Sequence, residues 1–359
     1  MSNISREILG IDILGSVLRR NCKLYLTEYG HLVVDEFGVS LKKKRRRVLV
    51  ITRDFKEEIP IKSIKELIIA GKANLSSELI RVLVESGVDL LFTSPTGRPI
   101  ARLVGTRVGG TAKNRYEQYK SLEDDRGIQI AKSVMFGKFR NQMSNMRYYS
   151  KSRRATEEIS AKLFDTYFLM KKKLEEVENQ NYNTLDEARA RIMSLEGEIA
   201  RIYWDGMRYV FDKWKFNGRN HRSNDPVNFM LNIAYNMLSG QIWKYILRFG
   251  LDPFLGYVHV ERPGKLSLVF DLMEPYRPFV DRLVASFLKD KSSLDFSKEN
   301  KSLTIKKFRE EFYNFLTEKR IEYKGRKMRV ETSMFYYVQE IVSFLRRNTS
   351  SISVPYLSW

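Results

Sequence analysis

The pattern of apolar and polar positions along the chain changes character near residue 105. Before that point, apolar residues alternate with polar ones or form short β-branched runs, which predicts strands separated by turns. Such stretches are LYLTEYGHLVV (24–34), RVLVIT (47–52) and VDLLFTSPTGRPIARLV (88–104). One helix is also predicted here, because Ser76 or Ser77 can cap the segment SSELIRVLVESG and Gly87 can end it.

The segment GTRVGGTAK (105–113) supplies glycines without apolar periodicity, and beyond it the apolar repeat lengthens to about 3.6 residues, which is typical of helices. Asp225 followed by Pro226 is a cap and first-turn signal for one helix, which closes on Gly250. The polar stretch 289–302 is expected to be a loop. Helices are predicted near residues 112–124, 127–150, 153–180, 184–212, 226–249, 276–289, 304–319 and 333–347.

These patterns predict an α+β protein. We expect an N-terminal β-rich domain over residues 1–106, a linker over 107–112, and a larger all-α C-terminal domain over 113–359. A length of 359 residues suits two domains. The sequence has no apolar run of about 18 residues and begins without a secretory signal, and Cys22 is its single cysteine. We therefore expect a protein of the reducing cytoplasm without disulfides or a thiolate zinc cluster.

The net charge of +20, from 63 Lys and Arg against 43 Asp and Glu, favours a polyanionic partner, because each neutralised phosphate releases counterions. Six consecutive cations run from Lys42 to Arg47 in an expected hairpin loop. This loop is either a solvated tip or a DNA contact. Two further clusters interleave cations with aromatic residues, a combination suited to backbone contact and base stacking. They comprise Lys138, Arg140, Arg147, Lys151, Arg153 and Arg154 with Phe139, Tyr148 and Tyr149, and Lys213, Lys215, Arg219, His221 and Arg222 with Trp214 and Phe216.

Several common catalytic motifs are absent from the sequence. The Gly-Lys pairs at 71–72, 137–138 and 264–265 are not followed by Ser or Thr, so no phosphate-binding loop is present and use of ATP is not expected. No His-Glu-x-x-His or Gly-x-Ser-x-Gly occurs, and the His-x-Glu at 259–261 lacks the Cys-x-x-Cys of zinc deaminases.

Acidic residues stand in unusually apolar surroundings. Asp271 and Glu274 interrupt the run LSLVFDLMEPYRPF and share a face if the segment is helical. Burial of two carboxylates requires a cation nearby, either a metal ion or an arginine such as Arg277 or Arg282. His259 precedes this run and is either a ligand or a structural histidine.

Glu196 lies in SLEGEIARIYWDGM, beside Gly197. Glycine inside a helix costs about 1 kcal/mol relative to alanine, which predicts a close approach to that part of the backbone.

Taken together, the segments resemble the CRISPR-associated protein one family, the integrases of spacer acquisition, over nearly the whole chain. The resemblance is carried by IPIKSIKELIIAGKANLSSELIRVLVESGVDLLFTSPTGRPIARL (59–103), RYEQY (115–119), GKFRNQ (137–142), SLEGEIARIYWDGM (194–207), RSNDPVNFMLNIAYNML (222–238) and LDPFLGYVHVERPGKLSLVFDLMEPYRPFVDRLV (251–284).

The resemblance implies metal ligands at Glu196, His259 and Glu274, with Asp271 as an accessory catalytic residue or alternate ligand. Many relatives have Asp where Glu274 stands, and Pro275 disfavours a helical backbone at Glu274. The resemblance also implies homodimerisation, for which we expect the β-rich domain, and a complex with CRISPR-associated protein two. One imidazole with two or three carboxylates suits Mg²⁺ or Mn²⁺.

The expected function is metal-dependent cleavage and joining of double-stranded DNA. Incoming spacer DNA would be inserted at a CRISPR repeat when its 3′-hydroxyl attacks a phosphodiester. The residues expected to contact DNA are Arg147, Arg153, Arg154, Arg219 and Arg222. Two alternatives stay open: a non-catalytic basic DNA-binding protein whose acids pair with arginines, and a metal-dependent nuclease with another role, such as repair.

Overall fold

The computed structural model describes residues 24–106, 111–152, 155–289, 291 and 298–357. Within these ranges the chain forms two compact units. The first holds residues 24–106 and 298–317, and the second holds the described residues between 111 and 291 together with 318–357. The α+β class predicted from the sequence is confirmed, since strands fill the N-terminal part and helices dominate the remainder.

The first unit is built on two sheets. A five-stranded sheet has the order β1-β2-β6-β8-β9, and a four-stranded sheet has the order β5-β4-β3-β7. Alternating residues of these strands, such as Leu32, Leu67 and Leu90 in neighbouring positions, form a shared apolar core. The strands are β1 (Leu24–Leu26), β2 (His31–Val34), β3 (Val39–Lys44), β4 (Arg47–Ile51), β5 (Lys56–Pro60), β6 (Glu66–Ile69), β7 (Ala73–Leu75), β8 (Asp89–Thr93) and β9 (Pro99–Leu103).

Local signals in the first unit act as the sequence predicts. The helix α1 (Ser77–Glu85) begins after Ser76, whose hydroxyl accepts a hydrogen bond from the Leu79 amide, and it is followed by Gly87 at φ +75°. The basic run forms a hairpin whose tip holds Arg45 at φ +54°.

A helix from much later in the chain completes the first unit. The helix α9 (Lys298–Glu318) carries Arg309, which is almost fully buried, pairs with Asp35 and donates a hydrogen bond to the Pro95 carbonyl at 2.7 Å. The sequence assigned every residue after 112 to one domain, and it placed a loop over 289–302. Both assignments differ from the structure, because the helix begins at Lys298 and residues 298–317 pack in the first unit.

The second unit is mostly helical. Its helices are α2 (Thr111–Lys120), α3 (Asp125–Ser150), α4 (Glu157–Glu178), α5 (Leu185–Val210), α6 (Pro226–Arg248), α7 (Ser267–Met273), α8 (Arg277–Lys289) and α10 (Val330–Leu345). A hairpin of β10 (Arg320–Tyr323) and β11 (Arg326–Arg329) precedes α10, so the all-α prediction for this part is wrong at that hairpin.

The helix ends that position the site follow from short-range chemistry. Asp225 caps α6 by accepting a hydrogen bond from the Asn228 amide, Pro226 occupies the first turn, and Gly250 follows the helix end at φ +69°. A short 3₁₀ turn over Glu274–Tyr276 joins α7 to α8. Among the described residues, no helix is long and apolar enough to span a membrane.

Candidate active site

The imidazole of His259 is held by a fully buried carboxylate. Asp271 Oδ1 lies 2.6 Å from His259 Nδ1 and accepts a hydrogen bond from the His259 amide at 3.0 Å. Asp271 Oδ2 accepts from the amides of Tyr257 at 2.5 Å and Val258 at 3.0 Å. This network assigns the Nδ1 proton to the side facing Asp271, so Nε2 carries the lone pair.

Gly256 makes this close wrapping of the loop possible. A Cβ at that position would lie 2.4 Å from the His259 carbonyl oxygen and 3.1 Å from Asp271 Oδ2, both closer than normal packing allows. The loop before α7 therefore folds back on the helix, which brings three backbone amides and the imidazole onto one carboxylate.

Glu274 lies next to the imidazole, at the junction of α7 and α8. Its Oε1 is 3.9 Å from His259 Nε2 and 3.0 Å from Arg277 Nε. Its backbone is right-handed helical (φ −54°, ψ −46°), so the prediction that Pro275 keeps this residue out of the helical region is wrong. Pro275 lies at the start of the 3₁₀ turn, where a backbone amide has no acceptor within the helix.

Lys138 joins Glu274 to Glu196. Its ammonium lies 2.9 Å from Glu274 Oε2 and 2.8 Å from Glu196 Oε1. The sequence placed Lys138 in a basic cluster for DNA backbone contact, and that grouping is wrong for this residue, because its side chain is buried beneath the two carboxylates. Glu196 keeps 26% of its side chain exposed, so this end of the cluster is accessible.

Gly197 does not mark a close approach within the protein. A Cβ built on it would meet nothing within 4 Å, so the expectation that another group packs on this backbone is not met.

The charged groups of the cluster stabilise one another in their ionised forms. Burial raises the pKa of Glu274, but Arg277 and Lys138 outweigh it and hold that pKa below its ordinary value. Burial lowers the pKa of Lys138, but Glu274 and Glu196 hold it above the ordinary lysine value. Both side chains are consequently charged at neutral pH, and the cluster combines negative and positive groups in a poorly hydrated place.

The donor set fits a divalent cation. Glu274 Oε2 is buried and faces the Lys138 ammonium at 2.9 Å, so this carboxylate oxygen already lies beside a cation. Glu196 and His259 Nε2 supply a second carboxylate and an imidazole nitrogen beside it, and this mixture suits Mg²⁺ or Mn²⁺. Over the described ranges, no three His, Cys, Asp or Glu residues already stand at metal-binding positions, since Lys138 occupies the space between the two glutamates.

Asp271 stands apart from this donor set. Its two oxygens already accept three amide hydrogen bonds and one imidazole contact, which leaves it little capacity to bind a metal directly. The geometry supports the accessory role that the resemblance implied and argues against Asp271 as the alternate ligand.

A cationic cavity of about 400 Å³ adjoins Glu196. Its charged lining residues are Lys138, Glu196, Arg201, Asp205, Arg208, Arg219, Arg277 and Asp281. Arg219 is held there by Asn228 Oδ1 at 2.9 Å and Asn232 Oδ1 at 2.6 Å, and it lies over the Tyr235 ring. Five cations against three acids favour an anionic occupant.

The other residues predicted to contact DNA lie elsewhere or outside the described residues. Arg147 is half-buried on α3 with its guanidinium 6.0 Å from the Tyr167 ring centre. Arg222 is exposed in the loop before α6. Arg153 and Arg154 lie outside the residues that the structure describes.

Asp281 is a buried acid that the sequence reasoning missed. It accepts hydrogen bonds from the hydroxyls of Tyr203 at 2.9 Å and Tyr235 at 2.5 Å. Burial raises the pKa of Asp281 to about 6, against the opposing effects of these hydroxyls, Arg277 and Arg219. The signal was present in the sequence, since Asp281 interrupts the apolar run RPFVDRLV as Asp271 and Glu274 interrupt theirs.

Comparisons with known proteins agree with the resemblance seen in the sequence. The family model described as CRISPR associated protein Cas1 matches residues 32–317. The CRISPR-associated endonuclease Cas1 of Korarchaeum cryptofilum is 54% identical over 339 residues, which cover 93% of this chain and 99% of that protein.

Two solved structures are similar in fold. A casposase bound to integration product has a TM-score of 0.70 and 23% identity, over 90% of this chain and 92% of that one. A Cas6-RT-Cas1–Cas2 complex contains a chain with a TM-score of 0.68 and 17% identity, over 91% of this chain and 36% of that one.

Proposed function

Because the chain belongs to the Cas1 family of CRISPR-associated proteins, we propose that it is a divalent-metal-dependent DNA endonuclease and integrase that inserts short foreign DNA into a CRISPR array. The reaction is attack of a DNA 3′-hydroxyl on a phosphodiester of the repeat. The observation that carries the proposal is the meeting of His259, Glu274 and Glu196 beside a cationic cavity.

Glu196, Glu274 and Nε2 of His259 are the residues that would hold Mg²⁺ or Mn²⁺. Such an ion, when bound, activates an oxygen nucleophile and neutralises charge on the scissile phosphate. Asp271 supports this role indirectly, since its contact with Nδ1 fixes the tautomer and the orientation of the imidazole.

The cations around the carboxylates act on the DNA phosphate. Arg277 and Lys138 lie against Glu274 in a buried place, where their charges are weakly screened and favour the negative charge that develops during phosphoryl transfer. One phosphodiester is exchanged for another, so no nucleotide fuel is needed. The sequence agrees, because it has no phosphate-binding loop.

DNA binding extends beyond the carboxylates. Arg219 lines the adjoining cavity, and Arg147, Arg153, Arg154 and Arg222 are proposed to contact the phosphate backbone of incoming or repeat DNA. We also propose a homodimer and a complex with CRISPR-associated protein two. The similarity in fold to a chain of the Cas6-RT-Cas1–Cas2 complex supports the latter.

The test compares two glutamates of one helix. Glu196→Ala is expected to abolish metal-dependent joining of labelled DNA into a repeat-containing plasmid and to leave DNA binding at matched salt intact. The matched control is Glu198→Ala, since Glu198 lies two residues away and pairs with Lys173 at the surface. Joining by the Glu196 variant at the parent rate would refute the site.

The same assay separates the proposal from a non-catalytic DNA-binding protein. EDTA stops the enzyme and barely affects a protein that only binds. Joining at repeat boundaries, as opposed to arbitrary positions, distinguishes spacer insertion from a nuclease with another role.

A further inference from the structure

The loop that carries His259 is fastened to α5 by the guanidinium of Arg189. Arg189 Nε donates a hydrogen bond to the Tyr257 carbonyl and Arg189 Nη2 donates to the Gly256 carbonyl, both at 2.8 Å. A planar fork that donates to two consecutive carbonyls fixes the loop in direction as well as in distance. These contacts are to the backbone before His259, so any effect of Arg189 on the imidazole is indirect.

The two carbonyls belong to the peptide groups whose amides hold Asp271. The Gly256 carbonyl and the Tyr257 amide form one peptide group, and the Tyr257 carbonyl and the Val258 amide form the next. Both amides donate to Asp271 Oδ2, at 2.5 and 3.0 Å. Each peptide group therefore lies between the guanidinium and the carboxylate. A hydrogen bond accepted at the oxygen polarises a peptide group and makes its N–H a stronger donor, so Arg189 strengthens both amide contacts with Asp271.

The other oxygen of Asp271 orients the imidazole. Asp271 Oδ1 lies 2.6 Å from His259 Nδ1, which leaves Nε2 free of that proton. A chain of contacts consequently runs from Arg189 through two peptide groups and Asp271 to the ring. Tyr257, in the middle of this chain, is fully buried, and its hydroxyl lies 2.8 Å from the Ser121 hydroxyl, so the loop is also held from its other side.

Arg189 lies on the same helix as Glu196. The two residues are seven positions apart in α5, which is close to two helical turns, so they share one face with about 10 Å between them along the axis. One continuous helix thus supplies one proposed ligand, Glu196, and holds the loop of another, His259. The contact made by Arg189 therefore sets the position of the His259 loop relative to Glu196.

We propose that Arg189 is a positioning residue, whose fork holds the loop so that Nε2 of His259 can bind a divalent cation together with Glu196. The inference rests on the proposed function and deepens it. Loss of the guanidinium frees the loop from α5 and weakens the amide donors to Asp271. The imidazole then loses both its fixed place and its fixed tautomer.

The first measurement needs neither metal nor DNA. The full-length protein is labelled with ¹⁵N-histidine and kept in EDTA in mildly alkaline buffer, where the ¹⁵N shift of each ring nitrogen shows whether it bears a proton. The chain has three histidines, and His259→Ala identifies the signals of His259. The parent protein is expected to carry the proton on Nδ1, and Arg189→Ala to show a mixture of both tautomers. Arg189→Lys keeps the charge and most of the bulk but not the fork, so it should fold and still lose part of the Nδ1 form.

The second measurement is Mn²⁺ affinity by isothermal titration. Arg189→Ala is expected to weaken binding by roughly 10-fold, at the lower end of the range for groups that orient a metal-binding histidine. In an Asp271→Asn background the same change should cost less than about 3-fold, because the chain of contacts is already broken. An arginine that only stabilises the fold would cost the same in both backgrounds. The matched control is Arg191→Ala, which removes an exposed arginine two residues further along α5 and should leave tautomer and affinity unchanged.

An unchanged tautomer in both Arg189 variants, or equal losses of Mn²⁺ affinity in the two backgrounds, would overturn the inference. Neither measurement needs turnover, so both are independent of the joining assay. A protein in which Arg189 fixes the tautomer but which never joins DNA refutes the proposed function and retains the positioning role. A protein that joins DNA and keeps its tautomer in the Arg189 variants refutes the positioning role alone.

Discussion

In the first unit, His31 lies 3.7 Å from Glu66, which also pairs with Arg102 at 3.1 Å. In the second unit, His259 lies 3.9 Å from Glu274, which also pairs with Arg277 at 3.0 Å. The residue types and distances are nearly the same. The difference is access, because His31 and Arg102 are each 1% exposed, whereas His259 is 21% and Arg277 25% exposed.

Buried charge alone therefore does not identify a catalytic site. The group in the first unit stabilises packing between strands β2, β6 and β9, where each charge is enclosed. The group in the second unit faces a cationic cavity. Access, together with the family, favours the second group as the site.

Replacing the two histidines should have the largest effect on DNA joining. His259→Ala should lower DNA joining by about 10²- to 10³-fold, since charge stabilisation is usually the largest contribution to catalysis. His31→Ala should destabilise the fold but retain joining per folded molecule, with the folded fraction taken from circular dichroism. Equal losses of joining in the two variants would contradict the distinction between the two groups.

The next prediction concerns the buried group of His31, Glu66 and Arg102 in the first unit. Glu66→Gln should reduce the free energy of unfolding by about 3–5 kcal/mol, because it leaves the buried charge of Arg102 undercompensated. Glu78→Gln, which removes an exposed partner of Lys43, should cost less than about 1 kcal/mol. Urea unfolding measures both, and a small cost for the Glu66 variant would show that its charge is not needed for packing.

A third buried carboxylate, that of Asp281, makes the stability of the protein depend on pH. Because the folded-state pKa of Asp281 is raised to about 6, folding favours its protonated form, and stability falls as pH rises from about 4 to 6. Asp281→Asn should remove this fall, so the variant should gain about 2–3 kcal/mol relative to the parent between pH 4 and pH 7. Urea unfolding across that range is the check, and parallel curves for both proteins would contradict the prediction.

The smallest expected effect is that of Asp271→Asn, which tests whether Asp271 is a metal ligand or positions His259. Asp271→Asn should lower joining and Mn²⁺ affinity by roughly 10- to 100-fold, as expected for a group that orients a metal-binding histidine. The loss should be smaller than for His259→Ala. Isothermal titration with Mn²⁺ and the joining assay measure it, and a loss as large as that of His259→Ala would restore Asp271 as a ligand.

Local patterns predicted most of the helices and strands, because caps and periodicity act over a few residues. Ser76, Asp225 and Gly250 end or begin helices where the sequence predicts. The packing of residues 298–317 in the first unit was not predicted, since no short-range pattern reports which distant sheet a helix contacts.

The candidate site, like the fold, was predicted only in part. Its carboxylates and histidine were identified through the family resemblance, and the structure brings Glu196, His259, Asp271 and Glu274 into one cluster. Lys138 was assigned to a DNA-binding surface because it lies in a stretch where cations are interleaved with aromatic residues. The helix α3 is buried on most of its circumference, so its periodicity could not indicate that Lys138 points inward.

The return of α9 to the first unit has a consequence for synthesis of the protein. Phe308, Phe312 and Leu316 are fully buried, so the first unit cannot complete its packing until these residues have left the ribosome. At about 5–20 residues per second, translation takes roughly 10–40 s to pass from the end of β9 to residue 317. During that interval the first unit lacks the helix that carries these three buried side chains.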